Sequence, residues 1–159
     1  MTVLCAMPAD AFAAYLEKSV VEFAAEKVKA GSWPAESALD TSRAEFAKLL
    51  PQGSATPDNY LFEIKDAADG PALGVLWLAA IDRSGFRSAY VYDLSIKPEW
   101  RRQGHAQRAF KAMEQKAREL GLNSIGLHVF GHNPNAQALY AKLGYAVTGI
   151  NMAKQLVPE

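Results

Sequence analysis

The sequence predicts an α/β fold of the α+β kind, in which two leading helices precede a mixed, mostly antiparallel sheet carrying one crossover helix. Three observations predict it. Apolar residues recur at helical spacing twice between Asp10 and Leu50, and short apolar segments separated by turn residues fill Asn59 to Ile96. A strand, turn, helix and strand then follow one another from Ala89 to Phe130, the pattern of a crossover between parallel strands. At 159 residues, with 50% hydrophobic and 21% charged, the chain suits one compact domain over residues 1–159.

The first helix runs from Asp10, with Phe12, Leu16, Val20, Phe23, Ala24 and Val28 on one side, to Gly31, a residue suited to a helix end. Ser32, Trp33 and Pro34 supply a cap-like start for a second helix bearing Leu39, Phe46, Leu49 and Leu50, which stops at Pro51-Gln52-Gly53. Asn59 to Lys65 and Ala72 to Ile81 form a hairpin around Asp69-Gly70-Pro71, and Arg83-Ser84-Gly85 turns into a third strand, Ala89 to Ile96. After Lys97-Pro98-Glu99 a long amphipathic helix reaches Leu120 and closes at Gly121. Ser124 to Phe130 reads as a strand, Pro134 or Asn135 opens a short helix through Leu143, and Tyr145 to Gln155 is expected as a final strand.

Composition excludes several classes of function. The longest apolar run, Ala72 to Ile81, has ten residues, against the roughly 20 that a membrane helix needs. No basic residue precedes Lys18, and Pro8 and Asp10 interrupt the apolar start, so no secretory signal is expected and the chain is placed in the cytoplasm. The single cysteine, Cys5, rules out a disulfide framework, and three scattered histidines have no metal-ligand spacing, so no metal is predicted. Formal net charge is zero, which argues against nucleic-acid or membrane binding. The charge is nonetheless uneven: residues 1–96 hold 8 basic and 13 acidic side chains (net −5), and residues 97–142 hold 8 and 3 (net +5). An anionic ligand is therefore expected near Lys97 to Lys142.

The residues Arg101-Arg102-Gln103-Gly104-His105-Ala106-Gln107 place cations and small residues where a helix begins and unpaired N–H groups point outward. Gly104 and Ala106 permit close backbone approach, so the segment is a candidate phosphate cradle. It lacks the Lys-Ser/Thr of a P-loop and the three glycines of a dinucleotide fingerprint.

Arg101-x-x-Gly104-x-Ala106 resembles the Arg/Gln-x-x-Gly-x-Gly/Ala signature of the GNAT acyltransferase superfamily. Asn133-Pro134-Asn135-Ala136-Gln137-Ala138-Leu139-Tyr140-Ala141-Lys142-Leu143-Gly144-Tyr145 is similar to that superfamily's Asn-x-x-Ala-x-x-Leu-Tyr-x-Lys-x-Gly-Phe/Tyr element. Ala30 to Trp33, Leu49 to Gly53 and Leu127-His128-Val129-Phe130-Gly131-His132-Asn133 further resemble a bacterial branch of it. The resemblance implies acetyl-CoA as acyl donor, its pyrophosphate on the N–H groups of Arg102, Gln103, Gly104, His105, Ala106 and Gln107, and its pantetheine beside Leu94 and Ile96. Arg101 and Lys142 are implied phosphate contacts, and Asn133 a partner of the cofactor's amide arm or a helix cap. It also implies that the strands around Ala89 to Ile96 and Ser124 to Phe130 splay apart, leaving a slot for the reaction.

Acetyl transfer to an amine needs a neutral nucleophile and a proton for the departing thiolate. Tyr140 matches the superfamily's general acid. The strand glutamate that many members use as base is absent, which leaves His128 and Asp93 as candidates, or a water chain. Strict alternation would put Tyr90, Tyr92, Leu94 and Ile96 on one face and Asp93 on the other, so Tyr92 and Asp93 are not expected to share the slot. His105 and His132 are expected in loops, solvent-exposed or beside the cofactor. The acceptor, a small-molecule or peptide amine, is expected between the leading helices and the sheet, with Trp33, Trp77, Tyr60 and Phe62 as wall and Glu63 or Asp93 holding its ammonium. The chain is expected as a monomer or homodimer. The alternative reading is a non-catalytic acyl-CoA-binding regulatory module that keeps the cradle without an efficient base.

Overall fold

The structure, a computed structural model, describes residues 1–158, with the side chain of Arg83 outside that description. Among the described residues, five strands and four α-helices form a sheet with helices on both faces. Helix α1 spans Ala9–Lys29 and turns its buried Phe12, Val20 and Ala24 inward, at the spacing that a helical stripe requires. It ends where predicted, with Gly31 in the left-handed region at φ 75°.

Helix α2, Ala38–Leu49, begins later than Ser32 to Pro34. The residues before it are turns, because the Trp33 ring is held edge-on to Phe23 at 5.5 Å with Lys27 Nζ above it at 5.4 Å. The two helices meet closely at Ser42, which is fully buried and donates its hydroxyl to the Val20 carbonyl at 2.7 Å.

The strands are β1 (Val3–Ala6), β2 (Asn59–Lys65), β3 (Gly74–Arg83), β4 (Phe86–Ile96) and β5 (Ile125–Leu127), adjacent in that order. All neighbours are antiparallel except β4 and β5, which are parallel. Strand β1 is not predicted from sequence; it exists because β2 offers it an edge, in the register Val3↔Lys65 to Ala6↔Phe62. Ser84 (φ 50°) and Gly85 (φ 87°) form the two-residue turn that lets β3 and β4 pair out to Arg83↔Phe86, lengthening β4 beyond the expected Ala89 start. At the other end β3 presses against β4 so closely that a Cβ on Gly74 would lie 2.2 Å from the Ser95 carbonyl oxygen.

Helix α3 (His105–Glu119) covers one sheet face with Ala109, Phe110, Met113 and Ala117, meeting Ile64, Leu76, Leu78 and Val91. Helices α1 and α2 cover the other face, around Leu61 and Trp77. Helix α4 spans Pro134–Lys142. Two expectations fail near the C-terminus: β5 stops at Leu127, three residues short, and the expected strand from Tyr145 to Gln155 does not form. A strand requires a neighbour, and among the described residues no strand pairs with the outer edge of β5. No helix among the described residues is long and apolar enough to cross a membrane.

Candidate functional site

The parallel ladder is short, with Ala89↔Ile125, Tyr90↔Gly126 and Val91↔Leu127 its three pairs. Beyond them β4 continues to Ile96 while the chain after Leu127 leaves the sheet, so a wedge opens between the two strands. His128 sits at the mouth of this wedge, just past the strand in which it was expected. Its ring lies edge-on to Phe130 at 4.9 Å. Burial, and then the charge of Lys27, lower its pKa, which favours the neutral imidazole.

Strand β4 carries a bulge that changes which side chains meet. Trp77 pairs with Asp93 and Leu78 with Val91, so Tyr92 is the extra residue and the alternation restarts after it. Tyr92 and Asp93 therefore line the same cavity, contrary to the expectation from strict alternation, and Leu94 turns to the α3 face instead. Tyr92 stacks on Trp77 at 4.5 Å and meets Tyr90 edge-on at 4.8 Å. The Tyr15 hydroxyl, from α1, donates to Asp93 Oδ2 at 2.8 Å. Burial raises the Asp93 pKa against the opposing pull of that hydrogen bond, and burial followed by the Asp93 charge pushes the Tyr15 phenol well up. Tyr15 thus remains a donor at neutral pH.

These groups belong to a cavity of about 510 Å³ between α1, α2 and the sheet. Its lining includes the carboxylates Glu22, Glu26, Glu45 and Asp93 against the single cation Lys27, with Trp77, Tyr90, Tyr92 and Phe130 as aromatic wall. Asn151 reaches it from the C-terminal segment. From sequence the acidic residues of α1 carry no assigned role; Tyr15, Ser19, Glu22 and Glu26, at steps of four, three and four, form the stripe beside its apolar one.

Of the acceptor residues expected from sequence, Trp77 and Asp93 line the cavity. Tyr60 and Phe62 pack into the α3 side of the sheet, Trp33 lies beyond Phe23, and Glu63 pairs with Lys65 at 3.7 Å. The sheet's two-sidedness separates them.

The candidate cradle lies where β4 passes into α3. Arg101 donates through Nε to the Ile96 carbonyl at 2.8 Å and fastens the loop to the strand end. Arg102 (φ 61°) and Gly104 (φ 80°) are left-handed, and Gly104 is the N-cap of α3 with no side-chain cap. The first-turn N–H groups of His105, Ala106 and Gln107 have no acceptor within the helix and lie at its positive end. A Cβ at Gly104 would meet Arg108 Nη1 at 2.7 Å, and Arg108 itself donates to the Gln103 carbonyl at 3.1 Å. The cradle residues, together with the β4 edge at 93–96 that β5 leaves uncovered, suit an extended ligand with a phosphate group.

His105 departs from expectation. It is only 5% exposed, opens α3, packs edge-on to Trp100 at 6.1 Å and faces Asp66 Oδ1 at 3.6 Å through Nδ1. His132 is likewise engaged, bonded to Glu26 of α1. Asn133 Oδ1 accepts from the Ala136 N–H at 3.3 Å and caps α4, and Lys142 is exposed at the end of that helix. Tyr140 is half-buried against Phe110 at 5.5 Å. Burial, with a smaller effect from the charge of Asp93, raises its pKa.

A family model described as the Acetyltransferase (GNAT) family matches residues 18–145. The chain is 36% identical to YycN, an uncharacterised N-acetyltransferase of Bacillus subtilis (strain 168), over 96% of its own length and 97% of that protein's. It is 35% identical to the uncharacterised N-acetyltransferase YdgE of the same organism, with coverage of 94% and 95%. A crystal structure of YycN superposes with a TM-score of 0.94 over 99% of this chain and 100% of that one. A GCN5-related N-acetyltransferase from Ralstonia eutropha JMP134 shares the fold at 20% identity, with a TM-score of 0.66 over 98% of this chain and 97% of that one. With the family model spanning most of the chain and two relatives matched almost end to end, this protein belongs to the GNAT acetyltransferase family and is an acyltransferase.

Proposed function

We propose that the chain binds acetyl-CoA across the start of α3 and the open edge of β4, and transfers the acetyl group directly to a primary amine seated in the 510 Å³ cavity. The observation that carries this reading is the uncapped N-terminus of α3, with Arg102 and Gly104 left-handed beside it, at the mouth of the wedge between β4 and β5. Acetyl-CoA supplies its acyl group as a thioester, activated toward attack by an amine. In this reading the N–H groups of Arg102 to Gln107 hold the pyrophosphate, and Arg101, Arg102 and Lys142 add positive charge around it. Leu94 and Ile96 present the strand edge to the pantetheine arm.

The acceptor reading rests on the cavity's chemistry. Four carboxylates against one lysine favour a cationic amine, and the aromatic wall that Tyr90, Tyr92 and Phe130 give the cavity complements an ammonium group. His128, held neutral by burial and Lys27, accepts the proton from the amine, directly or through water. Asp93, oriented by Tyr15, holds the amine toward the wedge. Tyr140, a phenol protonated at neutral pH, donates to the departing sulfur. Cys5 lies in β1, at the opposite edge of the sheet from β5, which favours direct transfer over an acyl-enzyme.

Calorimetric titration of acetyl-CoA tests the cradle. Wild type should bind, and Gly104→Glu, which puts a carboxylate in the phosphate seat, should lose that binding while keeping its circular dichroism spectrum. A folded wild type that does not bind refutes the reading.

A further inference from the structure

The cavity between α1, α2 and the sheet holds more negative charge than one amine neutralises. Of its four carboxylates, Glu26 is bonded to His132. Glu22 pairs at 3.8 Å with Lys18, one turn back on α1, a contact between exposed side chains that holds little. Asp93 has the neutral Tyr15 phenol as its hydrogen-bond partner, and neither Asp93 nor Glu45 enters an ion pair among the described residues. Lys27 does not answer them: its Nζ lies over the rings of Phe23 and Trp33, at 5.5 and 5.4 Å. Two carboxylates of the lining therefore have no cation from the chain itself, and charge-assisted hydrogen bonds from a ligand would satisfy both.

These two carboxylates occupy different places. Asp93 is half-buried on β4, and burial first and then its charge raise the pKa of both Tyr15 and Tyr140, so Asp93 is within electrostatic reach of the proposed general acid. Glu45 is exposed on α2, beside Phe46, whose ring meets that of Phe23 on α1 at 5.8 Å. Glu22 precedes Phe23 as Glu45 precedes Phe46, so a second acidic position lies at the seam of the two helices. Along α1, Tyr15 and Glu22 are separated by about 10 Å of helix rise, with Ser19 of the lining between them. With side chains reaching inward, the gap between two bound ammonium groups is about 6–10 Å, the span of about four to six methylene groups.

We propose that the acceptor is a linear aliphatic diamine or polyamine, its reacting amine at Asp93 and a second ammonium group held by Glu22 and Glu45. This rests on the acyl-transfer reading and names its substrate class. In the transfer the neutral amine nitrogen bonds to the acetyl carbonyl carbon as the thioester C–S bond breaks; the amine proton passes to His128, and the Tyr140 proton to the sulfur. The product is an amide with one ammonium group left, so it has lost one of the two charges by which the cavity held it, and one acetylation per molecule is expected.

Cadaverine and n-pentylamine, which differ in the second ammonium group, test this by calorimetry without acetyl-CoA and by rates of thiol release with it. The KM for cadaverine should be about tenfold or more below that for pentylamine. Glu22→Gln with Glu45→Gln should bring that ratio toward one while cadaverine kcat changes little, and mass spectrometry should find the singly acetylated product accumulating. Equal KM values for the two amines overturn the proposal, as does a ratio that the double substitution leaves unchanged, or a lysine-containing peptide preferred over cadaverine. If acetyl-CoA binds but neither amine turns over, the transfer reading fails, and calorimetry still decides the two-cation site. Cadaverine binding that is lost in the double variant upholds that site, and a wild type that does not bind cadaverine overturns it.

Discussion

Replacing Tyr15 by Phe removes a single hydroxyl, the one that donates to Asp93 Oδ2 at 2.8 Å across the cavity between α1 and β4. A hydrogen bond to a charged group is worth about 1.5–3 kcal/mol, and a neutral one about 1. Ionised Asp93 should therefore lose about 2 kcal/mol of stabilisation, and protonated Asp93 about half of that. For a chain of this size each kcal/mol moves Tm by about 2–4 °C, so Tyr15→Phe should melt about 4–8 °C lower at pH 8. The sign of the pH dependence follows from linkage. The Tyr15 bond lowers the Asp93 pKa, so without it the folded carboxyl holds its proton to a higher pH. The folded variant then binds more protons than folded wild type, and the stability gap between them narrows as pH falls through the Asp93 titration. Thermal unfolding of both proteins at a series of pH values measures this gap. A penalty that stays constant with pH, or widens toward acid, would show that Asp93 does not draw on Tyr15 in the way the geometry requires.

Two further outcomes concern the reaction. Tyr140→Phe should lower kcat about 10²–10⁴-fold with little change in acetyl-CoA affinity, as expected for loss of a general acid; unaltered turnover of a good amine acceptor refutes that role. Burial and Lys27 lower the His128 pKa, so wild-type kcat/KM should hold down to a pH below the ordinary histidine value before it falls. His128→Gln should lower kcat/KM and abolish that acid limb, and a profile of unchanged shape would move the base elsewhere.

The local signals were strong wherever the chain's chemistry is local. Gly31 ends α1, Pro134 opens α4, and Gly104 takes the left-handed N-cap of α3, each through backbone preferences confined to a few residues. The loop and helix start proposed as the cradle fall on seven consecutive residues, so their local geometry was legible for the same reason. Strand β1 was not legible, because four residues of modest alternation become a strand only when β2 lies alongside. The expected strand after Tyr145 failed for the converse reason: its pattern is strand-like, but among the described residues no strand pairs with it.

The sequence by itself determined the two helical stripes, the crossover and the glycine-led start of α3, because each depends on periodicity or on one residue's dihedral freedom. Tertiary structure alone decided the cavity. Tyr15 and Asp93 are 78 positions apart, and they meet only because α1 packs on the sheet face that Trp77 shares. That Asp93 is on this face at all depends on the bulge at Tyr92, where two residues of β4 oppose one step of β3 and reverse the alternation. A bulge is set by how two strands register against one another, and this information is carried by the pair rather than by either strand alone.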